Sequence, residues 1–261
     1  MKIIRCLWGK ENHQFKEKDL EFYHKECHVA KSNDERFGLD NQMVIVWDNV
    51  NCELLEKMGY PYYYMGESDN VKIELNFIYK IYALKRAMEM YDEILFLDWD
   101  FYIQKQLDDD FYNLLRNKGD VQVPLYFYPK ELLDLFKKMD EPNKEISNYY
   151  NSLYHQMMIH SKWRFQEGVT IPNAGFIYCK DKELFSKILD IQEKYNITTN
   201  IEEICLMIYF NSFIFNLDEY LQKIEPVVCH GKVSDEMMGK QFILNNYTNE
   251  KLNKKLYFIH I

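Results

Sequence analysis

The sequence predicts an α/β fold in which a mixed, mostly parallel central sheet is flanked by helices, and two observations carry that expectation. Four short apolar strings, Ile3–Trp8, Met43–Trp47, Tyr62–Met65 and Ile94–Leu97, have the length of buried strands, with stretches long enough for helices between them. Strands that alternate with helices pair in parallel, because each parallel connection must cross a face of the sheet. In addition, 261 residues with 47% hydrophobic content can bury one sizeable core, so residues 1–261 are expected to form a single domain with a first half at 1–105 and a second at 106–261.

The elements follow in order. After the first three strings, apolar side chains at Ile73, Phe77, Ile81, Leu84 and Met88 recur at three-to-four spacing, which predicts a helix over Val71–Tyr91 with Ser68 and Asp69 as N-caps. The string Ile94–Leu97 then ends abruptly in Asp98. Extended segments are expected at Val121–Phe127 and Thr170–Cys179, with a helix near Pro129–Met139 and a polar loop over Asp140–Asn148 between them. Helices at Lys182–Tyr195 and Ile201–Phe210 and strands near Ile224–Cys229 and Leu256–Ile261 complete the chain.

Composition narrows the function. A net charge of -9 and a pI near 5.4 leave no broad basic face for nucleic acid, so an anionic ligand needs a metal or a local site. No run approaches the roughly 20 apolar residues of a membrane span. Met1–Arg5 leads into no signal-peptide cleavage pattern, and the chain is expected to be soluble, unexported and cytoplasmic. The six cysteines are spread widely, without a C-x-x-C pair, and most sit in apolar strings, as buried reduced thiols do. The 21 Tyr, 17 Phe and 4 Trp stack on sugars and bases as readily as in a core, so no single ring marks a site.

Asp98 and Asp100 carry the most chemistry. In an extended chain, residues i and i+2 point to one side, and open α/β sheets bind ligands beyond the carboxyl ends of their strands. Two such carboxylates suit a hard cation, Mn²⁺ or Mg²⁺, which bridges phosphate oxygens and neutralises a diphosphate leaving group. Asp108 and Asp110 repeat the spacing, but they precede Phe111–Leu115 and are expected to cap a helix. His24, Cys27 and His28 place two imidazoles one helical turn apart, yet there is no second cluster to complete a zinc site.

Leu97-Asp98-Trp99-Asp100, preceded by the helical stretch Lys80–Met88, resembles the nucleotide-sugar-binding core of GT-A glycosyltransferases, a Rossmann-like fold. Ile171-Pro172-Asn173-Ala174-Gly175-Phe176 looks like that family's Asn-Ala-Gly segment, in which small residues admit close approach of the donor sugar. The resemblance implies transfer of a hexose from a UDP- or GDP-sugar to a glycan, protein or lipid-linked hydroxyl, with a nucleotide-binding first half and an acceptor-binding second half. It implies Mn²⁺ or Mg²⁺ on Asp98, Asp100 and His260, with His230 as rival third ligand, and a phosphate contact for Lys232. It further implies nucleotide contacts from Trp8, Gly9, Lys80 and Asp98, and donor-sugar contacts from Asn173, Ala174, Gly175 and Glu202. Glu203 is implied as an acceptor contact, or as the general base if the reaction inverts. Retention or inversion is not decided by these motifs.

Three alternatives share features with this reading. A haloacid-dehalogenase-like phosphatase also places Asp-x-Asp after an apolar strand, but usually has Thr or Val where this chain has Tyr102. A nucleotidyltransferase expects a glycine-rich basic loop after the first strand, and Cys6–Lys10 holds one glycine. A degenerate transferase-fold binding protein would not need the intact acid pair.

Overall fold

The computed structural model describes residues 1–9, 20–68, 77–103, 106–117, 119–123, 125–129, 168–197, 201–210, 228–230 and 258–260. In chain order its elements are β1 (Lys2–Leu7), α1 (Leu20–Arg36), β2 (Gln42–Val46), α2 (Asn49–Met58), β3 (Tyr62–Tyr64), α3 (Ile78–Met90), β4 (Ile94–Leu97) and β5 (Phe101–Ile103). There follow α4 (Asp109–Asn117), β6 (Val121–Gln122), β7 (Leu125–Pro129), β8 (Gly168–Pro172), β9 (Phe176–Cys179), α5 (Leu184–Tyr195), α6 (Ile201–Phe210), β10 (Val228–His230) and β11 (Phe258–His260).

Six strands form the main sheet in the order β3-β2-β1-β4-β9-β6. The first four run parallel, whereas β9 is antiparallel to both β4 and β6. The chain leaves β1 toward β2 and β3, then returns to β4 on the other side of β1. This reversal makes the carboxyl ends of β1 and β4 a topological switch point, where crevices form in such sheets. The antiparallel β9 brings its own beginning to that end, since Leu97 pairs with Phe176.

Strand periodicity divides the core between two faces. Ile4, Cys6, Ile94, Phe96 and Ile177 pack with Ile81, Leu84 and Met88 of α3, Ile188 of α5 and Ile204 of α6. Their alternating neighbours Ile3, Leu95, Leu97 and Phe176 face the other way, against Phe111 and Leu115 of α4. Leu7, Val44 and Val46 complete that second layer with Cys27 of α1 and Leu54 and Leu55 of α2. Burial on both faces explains why β1 and β4 read as continuous apolar runs.

Several details differ from expectation. Ser68 does not cap α3; its hydroxyl and amide bind the Asp48 carboxylate instead, and α3 begins at Ile78. Residues 71–76 and Asp69 lie outside the described residues, as do the expected loop at 140–148 and the helix near 129–139, apart from Pro129, which ends β7. Extended structure expected at 170–179 is interrupted by a turn between β8 and β9. Cys6, Cys27, Cys52, Cys179 and Cys205 are buried free thiols. No helix among the described residues is long and apolar enough to cross a membrane.

Candidate active site

The site is built at the carboxyl end of β4. Burial of Trp99, whose indole N–H donates to the Cys6 carbonyl at 2.7 Å, leaves Asp98 and Asp100 on either side of it part-exposed. The two acids belong to a turn rather than an extended strand, as the Phe101 amide donates back to the Asp98 carbonyl at 3.2 Å. The inward anchor of Trp99, not strand alternation, therefore leaves both acids part-exposed, with Asp100 Oδ1 itself buried.

Three segments hold this turn. From β1, the buried Arg5 guanidinium donates to the Asp98 carbonyl at 2.6 Å, pairs with Asp34 of α1 at 3.0 Å and lies over the Trp99 ring. Tyr60 donates its hydroxyl to the other Asp34 oxygen at 2.9 Å. Burial alone would lower the Arg5 pKa, but Asp34 outweighs it and the net shift is upward, which keeps the cation charged.

The second anchor is the Asn173–Gly175 turn. The Asp98 amide donates to the Gly175 carbonyl at 2.8 Å, and the Gly175 amide donates to Asn173 Oδ1 at 2.7 Å. A Cβ at position 175 would stand 2.5 Å from the Phe101 ring and 3.0 Å from Asp98 Oδ2, so only glycine fits. The close approach that these small residues signal is here one between the two motifs themselves. Ala174 is buried beside them.

Lys80, in the first turn of α3, is the third anchor. It is 2% exposed, with Nζ 3.0 Å from Asp98 Oδ2 and 3.5 Å from Glu202 Oε1 at the start of α6. Burial pulls the lysine pKa down, but Asp98 and then Glu202 more than reverse this and hold it above the usual lysine range. Glu202 is 5% exposed, and burial raises its carboxyl pKa despite Lys80. The nearer, part-exposed Asp98 is thus the main counter-charge of Lys80. Glu202 Oε2 is buried and has no hydrogen-bond partner among the described residues. Glu203 is part-exposed and acts on Lys80 through space.

Gly9, just beyond β1, has φ 97°. Trp8 is a core residue, 4% exposed, edge-on to the Phe77 ring at 6.2 Å, so its faces are taken up by packing. In the three-stranded sheet β10-β11-β5, His260 pairs with Phe101 and His230 pairs with His260. The backbone of His260 therefore lies beside the residue that follows Asp100, with His230 one strand farther out; both side chains, and all of Lys232, lie outside the described residues. Among the described residues no three His, Cys, Asp or Glu side chains form a metal-binding group. On α1, Cys27 is buried and His28 exposed, so they do not converge as zinc ligands would.

Arg5 and Asp48 were not anticipated from sequence. A charged residue inside the otherwise apolar Ile3–Leu7 is a signal for a buried partner, since an isolated buried charge is prohibitively costly. Asp48 left no comparable signal.

The sheet order and the antiparallel β9 are those of the GT-A fold. Apo mouse xyloside xylosyltransferase 1 aligns with 100% of this chain and 97% of its own, at TM-score 0.54 and 11% identity. An active-site mutant of LgtC aligns with 100% of this chain and 86% of its own, at TM-score 0.47 and 14% identity. The glycosyltransferase GlyE of Streptococcus pneumoniae aligns with 99% of this chain and 54% of its own, at TM-score 0.46 and 14% identity. At such identities the likeness is one of fold. No protein-family model matches the chain, and no curated protein matches it in sequence.

Proposed function

We propose that this chain is a metal-dependent glycosyltransferase that moves a hexose from a UDP- or GDP-sugar to a hydroxyl acceptor. The observation that carries the reading is the direct joining of Asp98 to Gly175, which makes one unit of two motifs 77 positions apart at the switch point of a GT-A sheet. Residues 1–105 would serve the nucleotide and 106–261 the acceptor.

Asp98 and Asp100 offer the hard oxygen donors that Mn²⁺ or Mg²⁺ takes, and the register of β11 favours His260 over His230 as the next ligand. When bound, the ion supplies charge stabilisation to the departing diphosphate. Lys80 balances Asp98 and turns a second positive charge toward the same oxygens. Gly9 and the backbone of Trp8 form the wall against which the nucleotide rests, with the Trp8 ring packed behind it. Asn173, Ala174, Gly175 and Glu202 border the donor sugar, and the orphaned Oε2 of Glu202 is an acceptor suited to a sugar hydroxyl. Glu203, part-exposed at the rim, is placed to contact the incoming hydroxyl or take its proton.

Calorimetric titration of UDP and GDP with Mn²⁺ or with EDTA tests this. Binding is expected only with the ion, and Asp98→Asn/Asp100→Asn is expected to weaken it beyond the roughly 10–100-fold typical of losing an outer-shell group. A wild-type protein that binds neither nucleotide under any condition overturns the reading.

A further inference from the structure

Among the described residues, the non-glycine backbone held in an unusual positive-φ conformation is not in the acid turn but at the end of β2. Asp48 has φ 69° and ψ 128°, a positive-φ conformation that residues with a side chain rarely adopt. Asn196, the other non-glycine residue with positive φ among the described residues, sits in the ordinary left-handed helix cap instead. Such strain persists where surrounding contacts over-determine it. At Asp48 those contacts can be named.

The Asp48 side chain is fully buried. Its Oδ2 accepts the Gly9 amide at 2.9 Å, and its Oδ1 accepts the Ser68 amide at 2.8 Å. The Ser68 hydroxyl reaches both oxygens, at 2.9 and 2.7 Å. The Asp48 amide donates to the Gly66 carbonyl at 3.0 Å. One turn into α2, Asn51 Nδ2 donates to the Gly9 carbonyl at 3.2 Å and to the Trp47 carbonyl at 3.0 Å. Both peptide groups of Gly9 are thereby engaged by the start of α2, and the segment after β3 is tied to the same carboxylate. A glycine at 48 would start α2 without strain; what it could not do is join the segments that follow β1 and β3.

We propose that Asp48 is a positioning residue for the nucleotide: its carboxylate fixes the backbone after β1 and the segment after β3 as one rigid wall of the crevice at the β1–β4 switch point. The Gly9 N–H is then spent on Asp48 and is not a donor to the nucleotide, so Gly9 contributes the shape of the wall. The inference rests on the transferase reading and adds to it a residue with no direct ligand contact.

Two variants separate the carboxylate from the strain. Asp48→Gly removes both; Asp48→Asn keeps the strain and replaces one acceptor oxygen by an amide N–H₂ that faces donors. UDP binding in Mn²⁺, Mn²⁺ binding alone and melting temperature are measured on each. Both variants are expected to bind UDP about 10–100-fold more weakly, the fold-change that matches losing a hydrogen bond to a charged group. Mn²⁺ affinity is expected to stay at the wild-type value, since Asp98 and Asp100 hang from β4. Wild-type-like UDP binding by Asp48→Gly overturns the proposal, as does a parallel fall in UDP affinity, Mn²⁺ affinity and melting temperature. Failure of the wild-type protein to bind UDP or GDP overturns the transferase reading and this proposal with it, and the unmutated control identifies that case.

Discussion

Asp98/Asp100 and Asp108/Asp110 share one spacing and lie ten residues apart, yet the chain uses them differently. The first pair is gripped by β1 through Arg5, by α3 through Lys80 and by the turn before β9 through Gly175. The second is local: Asp108 Oδ1 accepts the Phe111 amide at 2.9 Å, an N-cap for α4, and Asp109 and Asp110 face solvent beside the positive end of the helix. The difference teaches that spacing alone does not make a site. Contacts from distant parts of the chain do.

The comparison can be broken or sharpened from its strong side to its weak one. Arg5→Met leaves Asp34 buried without its cation and is expected to cost about 3–5 kcal/mol in urea unfolding, with Mn²⁺ affinity lowered as well. A variant as stable as wild type would show that the acid turn does not depend on the ion pair beneath it. Gly175→Ala pushes a methyl into Phe101 and Asp98, at an expected cost of about 1–3 kcal/mol together with weaker Mn²⁺ binding. If metal affinity is untouched, the two motifs are not mechanically joined.

Besides its apolar face, α4 is tied to the sheet by Arg116, which donates to both oxygens of Glu93, each at 2.8 Å. That bonding, with help from Tyr178 and the amino terminus, holds the Glu93 carboxyl at about 2, below its ordinary 4.5. A depressed carboxylate stabilises fully above its unfolded pKa, so this contribution is lost as pH falls from about 4.5 toward 2. Glu93→Gln is expected to flatten the acid limb of stability by roughly 1.5 kcal/mol, the low end for a charged hydrogen bond because Arg116 is partly exposed. Denaturation midpoints at pH 3 and pH 6 measure it. Asp108→Ala, finally, is expected to cost about 1 kcal/mol of helix capping and nothing in UDP affinity. An effect on UDP binding would mean the second pair is not merely structural.

How far the sequence could be read follows from the range of the interactions involved. Three of the four parallel strands, β1, β2 and β4, were legible because burial on both faces writes itself into consecutive residues, as in Ile94–Leu97, and the cap at Asp108 because it spans three residues. The bond of Ser68 to Asp48 was not legible for the complementary reason: its partner lies 20 residues away, and nothing local marks it. The small residues of Asn173–Gly175 correctly signalled close approach, but not that Asp98 is what approaches. The strain at Asp48 was invisible, since a backbone angle set by tertiary bonds leaves no mark on composition. Trp8, similarly, offered a ring but no indication that Phe77 and the core would surround it.

The antiparallel β9 also bears on how the molecule comes into being. A chain emerging from the ribosome has β1 to β4 in hand once residue 97 is made, but the strand that covers the open edge of β4 ends only at residue 179. Throughout that interval β4 offers an unpaired, wholly apolar edge, the kind that invites pairing with other chains. Over the same interval the amide of Asp98 waits for the carbonyl of Gly175. The acid turn therefore lacks this support until residue 175 is made, and a half-made chain carries the hazard of the sheet without yet having its chemistry.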